Sequence, residues 1–287
     1  MNTLTKKIDF TLLVTVKKAN PNGDPLNGNR PREDFNGYGE ISDVCIKRKI
    51  RNRLQDMGEK IFVQSAERCD DGASSLHDRM KKNEALVKAQ KDKNVDTFAK
   101  EACKEWFDVR TFGQVFAFKG DSLSLGIRGP VSIRTAESVS PIDISTMQIT
   151  KSVNGEDIKN GAKASDTMGT KNRVEFGLYV INGSINPQLA EKTGFSDEDA
   201  NKIKHALMTL FENDSSSARP EGSMEVKRLY WYEHNCKSGQ YSSAKVHNSI
   251  HIEQKENIEQ PSCFDDYNIV LNHLAGLSPI IENEQCR

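Results

Sequence analysis

Ile8, Phe10, Leu12, Val14 and Val16 recur at every second position, and so do Val174, Phe176, Leu178 and Val180. Period-two alternation of this kind marks half-buried strands. Between and after these runs the spacing changes. Ile46, Ile50, Leu54 and Met57 share one face of a helix over about 43–57, with Gly58 as its stop. Leu123–Arg134 is extended but carries Gly126, Gly129 and Pro130, which places it at an edge or bends it. Ser196 opens a second helix whose first turn, Asp197-Glu198-Asp199, suits the helix dipole, and Ala200, Ile203, Leu207 and Leu210 form its apolar face. Val226–Tyr232 is a last strand with a run of large aromatic residues. The order is βαββαβ, so the predicted class is α+β with a ferredoxin-like arrangement. The RNA-recognition module shares this topology and reads RNA on its sheet or on nearby loops.

The connections are long for such a fold. Residues 17–42 separate the first strand from its helix, 59–122 add a mixed segment with a helical pattern at Val95, Phe98, Ala102 and Trp106, and 135–172 are rich in Ser, Thr, Asn, Gly and Lys. Loops of this length inside a compact domain are functional or disordered. The expected organisation is one domain over 1–287, with insertions at 59–122 and 135–172 and an acidic C-terminal segment at 253–287.

Asn20–Arg53 carries the clearest chemistry. Its first half, NPNGDPLNGNRPR, is built from turn residues. Its second half surrounds the apolar helix face with Lys47, Arg48, Lys49, Arg51 and Arg53. Cations beside a loop with many backbone N–H groups suit the phosphates of a polyanion. A solvated amphipathic helix is the plain alternative. Overall charge is −1, yet residues 1–60 hold twelve Lys/Arg against eight Asp/Glu, and 251–287 hold two against seven. That asymmetry leaves room for a basic face.

Composition excludes several classes. Hydrophobic residues make up 36% and mean hydropathy is −0.64, which implies a modest core and much loop or solvated surface. No apolar run is long enough for a membrane helix, and MNTLTKKIDF lacks a signal-peptide core. Six scattered cysteines point to a reduced compartment rather than a disulfide scaffold. Cys236, His247 and His251 give C-x10-H-x3-H, one cysteine short of a zinc pattern. His77-Asp78 lacks companion ligands, and helix-start chemistry accounts for Asp197-Glu198-Asp199. No phosphate-binding glycine motif occurs, so neither a metal nor a cofactor is expected.

The order NPNGDP (20–25), GNRPR (28–32) and SDVCIKRKIRNR (42–53) closely resembles the crRNA-binding backbone subunit of type I-C CRISPR Cascade, in the RAMP superfamily. The resemblance continues at WFDVRTFG (106–113), GPVSIRT (129–135), SPIDISTMQIT (140–150), TMGTK (167–171), FGLYV (176–180) and LYWYEH (229–234). It covers most of the chain from Ile8 to His251.

The resemblance implies a compact palm, fingers at 59–122 and a thumb hairpin at 135–172. It implies a non-enzymatic, prokaryotic, cytoplasmic protein that binds the crRNA spacer through its phosphates and presents it to a target DNA strand. Further implied partners are other copies of the chain and the other Cascade subunits: the crRNA 5′-end processing subunit, the large subunit and the small subunit. The implied RNA-binding residues are Asn20, Asn22, Arg30, Lys47, Arg48, Arg51, Arg134, Gln148, Thr150, Lys151 and Lys171. Met147, Ile149 and Met168 are the apolar residues of an otherwise polar thumb and the candidates for a wedge between nucleotides. Read without the resemblance, Met147 and Ile149 equally suit packing onto the palm. Related subunits that cleave RNA use a loop Asp. Asp24 and Asp34 therefore keep open an alternative, a metal-dependent endoribonuclease of the same superfamily, although both are also good turn residues. An unrelated scaffold with the same core is the third reading.

Overall fold

The computed structural model describes residues 3–120, 123–150 and 168–283. The chain starts with β1 (Ile8–Ala19), the short hairpin β2 (Gly23–Asp24) and β3 (Arg30–Pro31), then β4 (Tyr38–Ile41) and helix α1 (Asp43–Asp56). An insertion follows: α2 (Leu76–Lys81), α3 (Glu84–Lys91), α4 (Val95–Glu105), α5 (Phe107–Phe112) and the hairpin β5 (Gly113–Phe116) and β6 (Leu125–Arg128). Next come β7 (Val131–Ile133), β8 (Ala136–Pro141), β9 (Ile144–Thr150) and the long β10 (Met168–Ile185). The remainder is α6 (Pro187–Thr193), α7 (Asp197–Met208), β11 (Met224–Glu233), α8 (Ser243–His247), β12 (Ile250–Gln254), β13 (Tyr267–Leu271) and β14 (Ile280–Asn283).

These strands build a mixed α/β structure around an antiparallel sheet of order β14-β11-β1-β10-β8-β4, with β7 and β9 pairing to other stretches of β10. β1 is central and buried, as its alternation requires. Phe10, Leu12, Val14 and Val16 join Ile46, Ile50 and Leu54 of α1 and Ala200, Ile203 and Leu207 of α7 in one core. Phe10 lies so close to β10 that a Cβ on Gly183 would fall 2.1 Å from its ring, so that position accepts only glycine. α7 begins with a capping box: Ser196 Oγ accepts from Asp199 N–H (3.1 Å) and Asp199 Oδ2 accepts from Ser196 N–H (3.0 Å). Arg110 adds two bonds to the same carboxylate, at 2.9 and 3.1 Å.

The structure departs from the sequence expectations in one place and adds to them in two. Leu123–Arg134 is two strands in different sheets. β6 pairs with β5, and β7 pairs with the end of β10. Gly129 separates them where a Cβ would be 2.3 Å from the Thr111 carbonyl oxygen. The 59–122 insertion has its own core of Phe62, Met80, Leu86, Phe98, Trp106 and Phe116. The acidic C-terminal segment, as far as residue 283, is built into the fold. β13 pairs with β12, and Val246, Ile250 and Tyr267 cover Leu13, Leu178, Tyr230 and Tyr232 on the face of the sheet opposite the helices. β14 then extends the sheet beside β11. Among the described residues no helix is long and apolar enough to cross a membrane.

Candidate nucleic-acid interface

Ser42 caps α1 by accepting from Cys45 N–H at 3.3 Å, and the expected apolar stripe faces the core. The cations around it are engaged inside the chain. Arg51 Nε donates to Asp108 at 2.9 Å and its guanidinium lies 5.0 Å from the Phe112 ring. Arg48 donates to the Val63 carbonyl at 2.6 Å; burial, and then the neighbouring charge of Arg51, push its pKa down. Lys49 is 4% exposed and pairs with Asp214; burial lowers its pKa while the carboxylate opposes that shift. Arg53 reaches Thr209 (2.7 Å) and Glu212 (2.6 Å). Lys47 pairs with Asp43 at 2.9 Å, one turn back, and this bond holds the Asp43 carboxyl below its usual range. In the single chain Lys47, Arg48 and Arg51 therefore do not form an open cationic face. Arg48 and Arg51 brace α1 against the insertion, and Lys47 is tied to its own helix.

This difference is measurable as stability. The Lys47–Asp43 pair is partly exposed on one helix face, so Lys47→Ala should change the unfolding free energy by no more than about 0.5 kcal/mol. Arg48→Ala strips a charged donor from a half-buried carbonyl and should cost about 1.5–3 kcal/mol. Urea transitions of the two variants with the same midpoint would contradict the bracing role.

The 20–34 loop is ordered by its own side chains. Asn20 is 4% exposed; its amide donates to the Asn29 carbonyl at 2.7 Å, and its backbone N–H donates to Ala218 at 2.9 Å. Asn22 Oδ1 accepts from both the N–H (2.9 Å) and the Oγ (2.8 Å) of Ser42, which links the loop to the α1 cap. Both asparagines thus shape the loop from within. The constraint on Gly23 is steric rather than a positive φ, since a Cβ there would lie 2.0 Å from Asn29 Oδ1. Asp24 accepts from Leu26 N–H (3.2 Å) and from Arg32 (3.3 Å), and Asp34 accepts from the N–H groups of Asn36 and Tyr38, both at 2.8 Å. Each of these carboxylates organises its own turn.

The loop meets an arm. Residues 168–173 of β10 run beyond β1 and pair only with β9. Arg30 donates to Thr146 Oγ1 at 3.4 Å, and Asn172 reaches the Gly28 carbonyl at 3.5 Å, so loop and arm join at the arm's root. The register decides what each face carries. Lys171 sits opposite Met147 and Gly169 opposite Ile149, which places Met147, Ile149 and Lys171 on one face. Thr150 sits opposite Met168 and Gln148 opposite Thr170, so Gln148, Thr150 and Met168 lie on the other. The expected wedge of three is thereby split: Met147 (37% exposed) and Ile149 (50%) are together, and Met168 (65%) points away from them. Lys151, and the thumb expectation over 151–167, lie outside the described residues.

Arg134 is exposed and without a side-chain partner among the described residues, but it is remote from the arm. Its N–H bonds Asn182 (2.9 Å), and the eleven residue steps along β10 from there to Lys171 span about 36 Å at ~3.3 Å each. Cys236, His247 and His251 do not converge. His247 is buried on the Gly183 carbonyl at 3.0 Å, whereas His251 is exposed and pairs with Glu253. The described residues contain no group of three or more His, Cys, Asp or Glu that could hold a metal ion. Sequence reasoning missed Leu26 (97% exposed) and Phe35 (105%), presented by the ordered loop region. An apolar residue stranded among turn formers was the available signal.

The CRISPR-associated protein Cas7 of Haloferax volcanii is 26% identical over 250 residues, which cover 80% of this chain and 70% of that protein. A chain of a solved "CRISPR RNA-guided surveillance complex, pre-nicking" aligns with TM-score 0.46 and 16% identity, over 79% of this chain and 78% of the other. A chain of a second "CRISPR RNA-guided surveillance complex" aligns with TM-score 0.45 and 14% identity, over 79% and 68%. The family described as CRISPR-associated protein Cas7 matches residues 6–272, nearly the whole length, and the chain belongs to that family.

Proposed function

We propose that this chain is a crRNA-binding backbone subunit of a Cascade complex, of the type I-C kind that its motifs resemble. Several copies line up on one guide, hold its spacer by the phosphates, and leave the bases free to pair with a target DNA strand. That division assigns sequence specificity to base pairing. The sheet with α1 and α7 serves as the ferredoxin-like palm, the 59–122 insertion as fingers and the β9–β10 arm as the thumb. The other Cascade subunits are its remaining partners, and the prokaryotic cytoplasm its compartment.

Family membership over 6–272 is the observation that carries this reading. The arm supports it, because a projecting hairpin with Met147, Ile149 and Lys171 on one face combines apolar contact with a cation that has no ion-pair partner among the described residues. In the refined site Arg30, Lys171 and the more distant Arg134 touch phosphates, and Gln148 and Thr150 line the second face of the arm. Asn20, Asn22, Arg48 and Arg51 act by holding the loop and helix in place. The turn-organising bonds of Asp24 and Asp34 favour a non-catalytic role over the endoribonuclease alternative.

Two unrelated RNAs of guide length should bind with similar affinity. Arg30→Ala, Arg134→Ala and Lys171→Ala should each lower the slope of log affinity against log salt by about 0.7, one single-strand phosphate contact. RNA incubated with Mg²⁺ should stay intact in the presence of the wild type, Asp24→Ala and Asp34→Ala alike. Strong preference for one RNA, or cleavage lost in either Asp variant, would overturn the assignment.

A further inference from the structure

The face of the sheet opposite the helices is only half covered. Over Leu13, Leu178, Tyr230 and Tyr232 it is packed by α8 and the β12–β13 hairpin. Toward the arm the cover thins to the 259–265 segment, which walls the space beside Phe176 without filling it. Lys17 and Phe176 stand directly opposite each other in the β1–β10 ladder, so their side chains rise from this same face on its two central strands. Lys17 is exposed and has no ion-pair partner among the described residues, and Phe176 is half-buried. A cavity of about 440 Å³ opens beside them, walled by Thr15, Arg228, Ser262 and Phe264. A second cavity, of about 480 Å³, shares Lys17, Phe176 and Ser262 with the first, so Phe176 borders both. Arg228 is pre-set in the first cavity: its guanidinium lies 5.6 Å from the Phe264 ring and bonds Asn283 (2.9 Å) and the Tyr230 hydroxyl (3.2 Å).

We propose that this open half of the sheet is a second single-strand nucleic-acid site, separate from the arm, in which one base stacks on Phe176 and its phosphate meets Lys17. An aromatic on a central strand beside a cation, on the open face of an antiparallel sheet, is how sheet modules hold unpaired bases. A cavity of this volume fits a nucleotide. The charge balance of the first cavity bears on the mode of binding. Lys17, Lys227 and Arg228 face Glu225 and Asp265, and Glu225 is already paired with Lys227. The first cavity thus carries one net positive charge, whereas in the second Lys17 and Lys18 face Asp143, Glu175 and Glu259, so a single phosphate enters on the Arg228 side, stacking supplies most of the affinity and salt dependence is shallow. The proposal rests on the reading of the chain as an RNA-binding subunit and adds a site to it.

The test uses the full chain and a trinucleotide RNA with central 2-aminopurine, too short to bridge two copies. Stacking should quench its fluorescence on binding. Phe176→Leu keeps an apolar side chain for packing and removes the ring; it should weaken binding about tenfold, the loss of one base–aromatic stack. Lys17→Ala should lower the salt slope by about 0.7. Quenching and affinity in Phe176→Leu equal to the wild type, or no quenching with the wild type, would overturn the second site. Assembly on guide-length RNA is measured separately, so failure of this site and failure of the backbone reading give different results.

Discussion

Asp108→Ala is expected to cost about 3–5 kcal/mol, the loss measured when one partner of a buried ion pair is removed. Asp108 is 1% exposed and accepts three bonds: from Phe62 N–H at 2.7 Å, from Val63 N–H at 3.1 Å and from Arg51 Nε at 2.9 Å. Truncation would leave a largely buried guanidinium and two backbone donors, one of them fully buried, without their acceptor. Whole domains are stable by only about 5–15 kcal/mol, so the variant should be partly unfolded at physiological temperature. The two tryptophans locate the damage. Trp106 packs on Phe62, ring centroids 4.6 Å apart, in the core of the insertion, and Trp231 packs on Phe10 in the core of the sheet. In urea, Trp106 fluorescence should report loosening before Trp231 does, each followed in a background where the other is Phe. Asp108→Asn keeps an acceptor and loses the charge, and should fall between wild type and Asp108→Ala. A loss below about 1 kcal/mol for Asp108→Ala would mean that the carboxylate is not the joint between α1 and the insertion.

Asp108 also shows which parts of this fold were legible in the sequence. β1, α1, α7 and β11 appear where periodicity places them, because each buries one regular face and the pattern is local. Ser196 caps α7 as its place before the first turn implied, and Asp199 adds the reciprocal bond that the spacing had not been read for. The cations of α1 were visible as a group, but their roles were not. Their partners Asp108, Asp214 and Glu212 lie 57, 165 and 159 residues further along the chain, and no spacing rule reaches that far. A cationic helix and a helix of internally paired cations read alike until the fold brings the carboxylates in. The same holds for the arm. Met147, Ile149 and Met168 are equally apolar, but which of them share a face depends on the β9–β10 register. In a hairpin a shift of one residue exchanges the faces, and the intervening sequence did not fix it. β14 and the β12–β13 cover were illegible for a related reason. Their strands are short, and their partners on β11 and on the far face of the sheet are assembled from distant segments.

Met147→Glu combined with Ile149→Glu is expected to abolish multi-copy assembly on guide-length RNA while leaving each subunit folded. Neither side chain belongs to the buried cores, and both remain substantially exposed in the single chain. Charging them therefore costs the monomer little, and circular dichroism and the urea midpoint should match the wild type within about 0.5 kcal/mol. In the assembled state the same residues would be covered by a neighbouring copy or a displaced nucleotide. Burying an apolar side chain of this size contributes about 1.5–3 kcal/mol, so two charges in place of two such contacts should weaken each junction at least about a hundredfold. Light scattering should then show short RNA complexes in place of a regular particle, and nuclease should cut the guide between bound subunits. Met168→Glu supplies the control that the register demands. It adds the same charge to the same arm on the opposite face, and assembly should survive it if Met147 and Ile149 form the contact. A particle of unchanged mass with full guide protection from the double variant would exclude that face of the arm, and disruption by Met168→Glu alone would move the contact to the other.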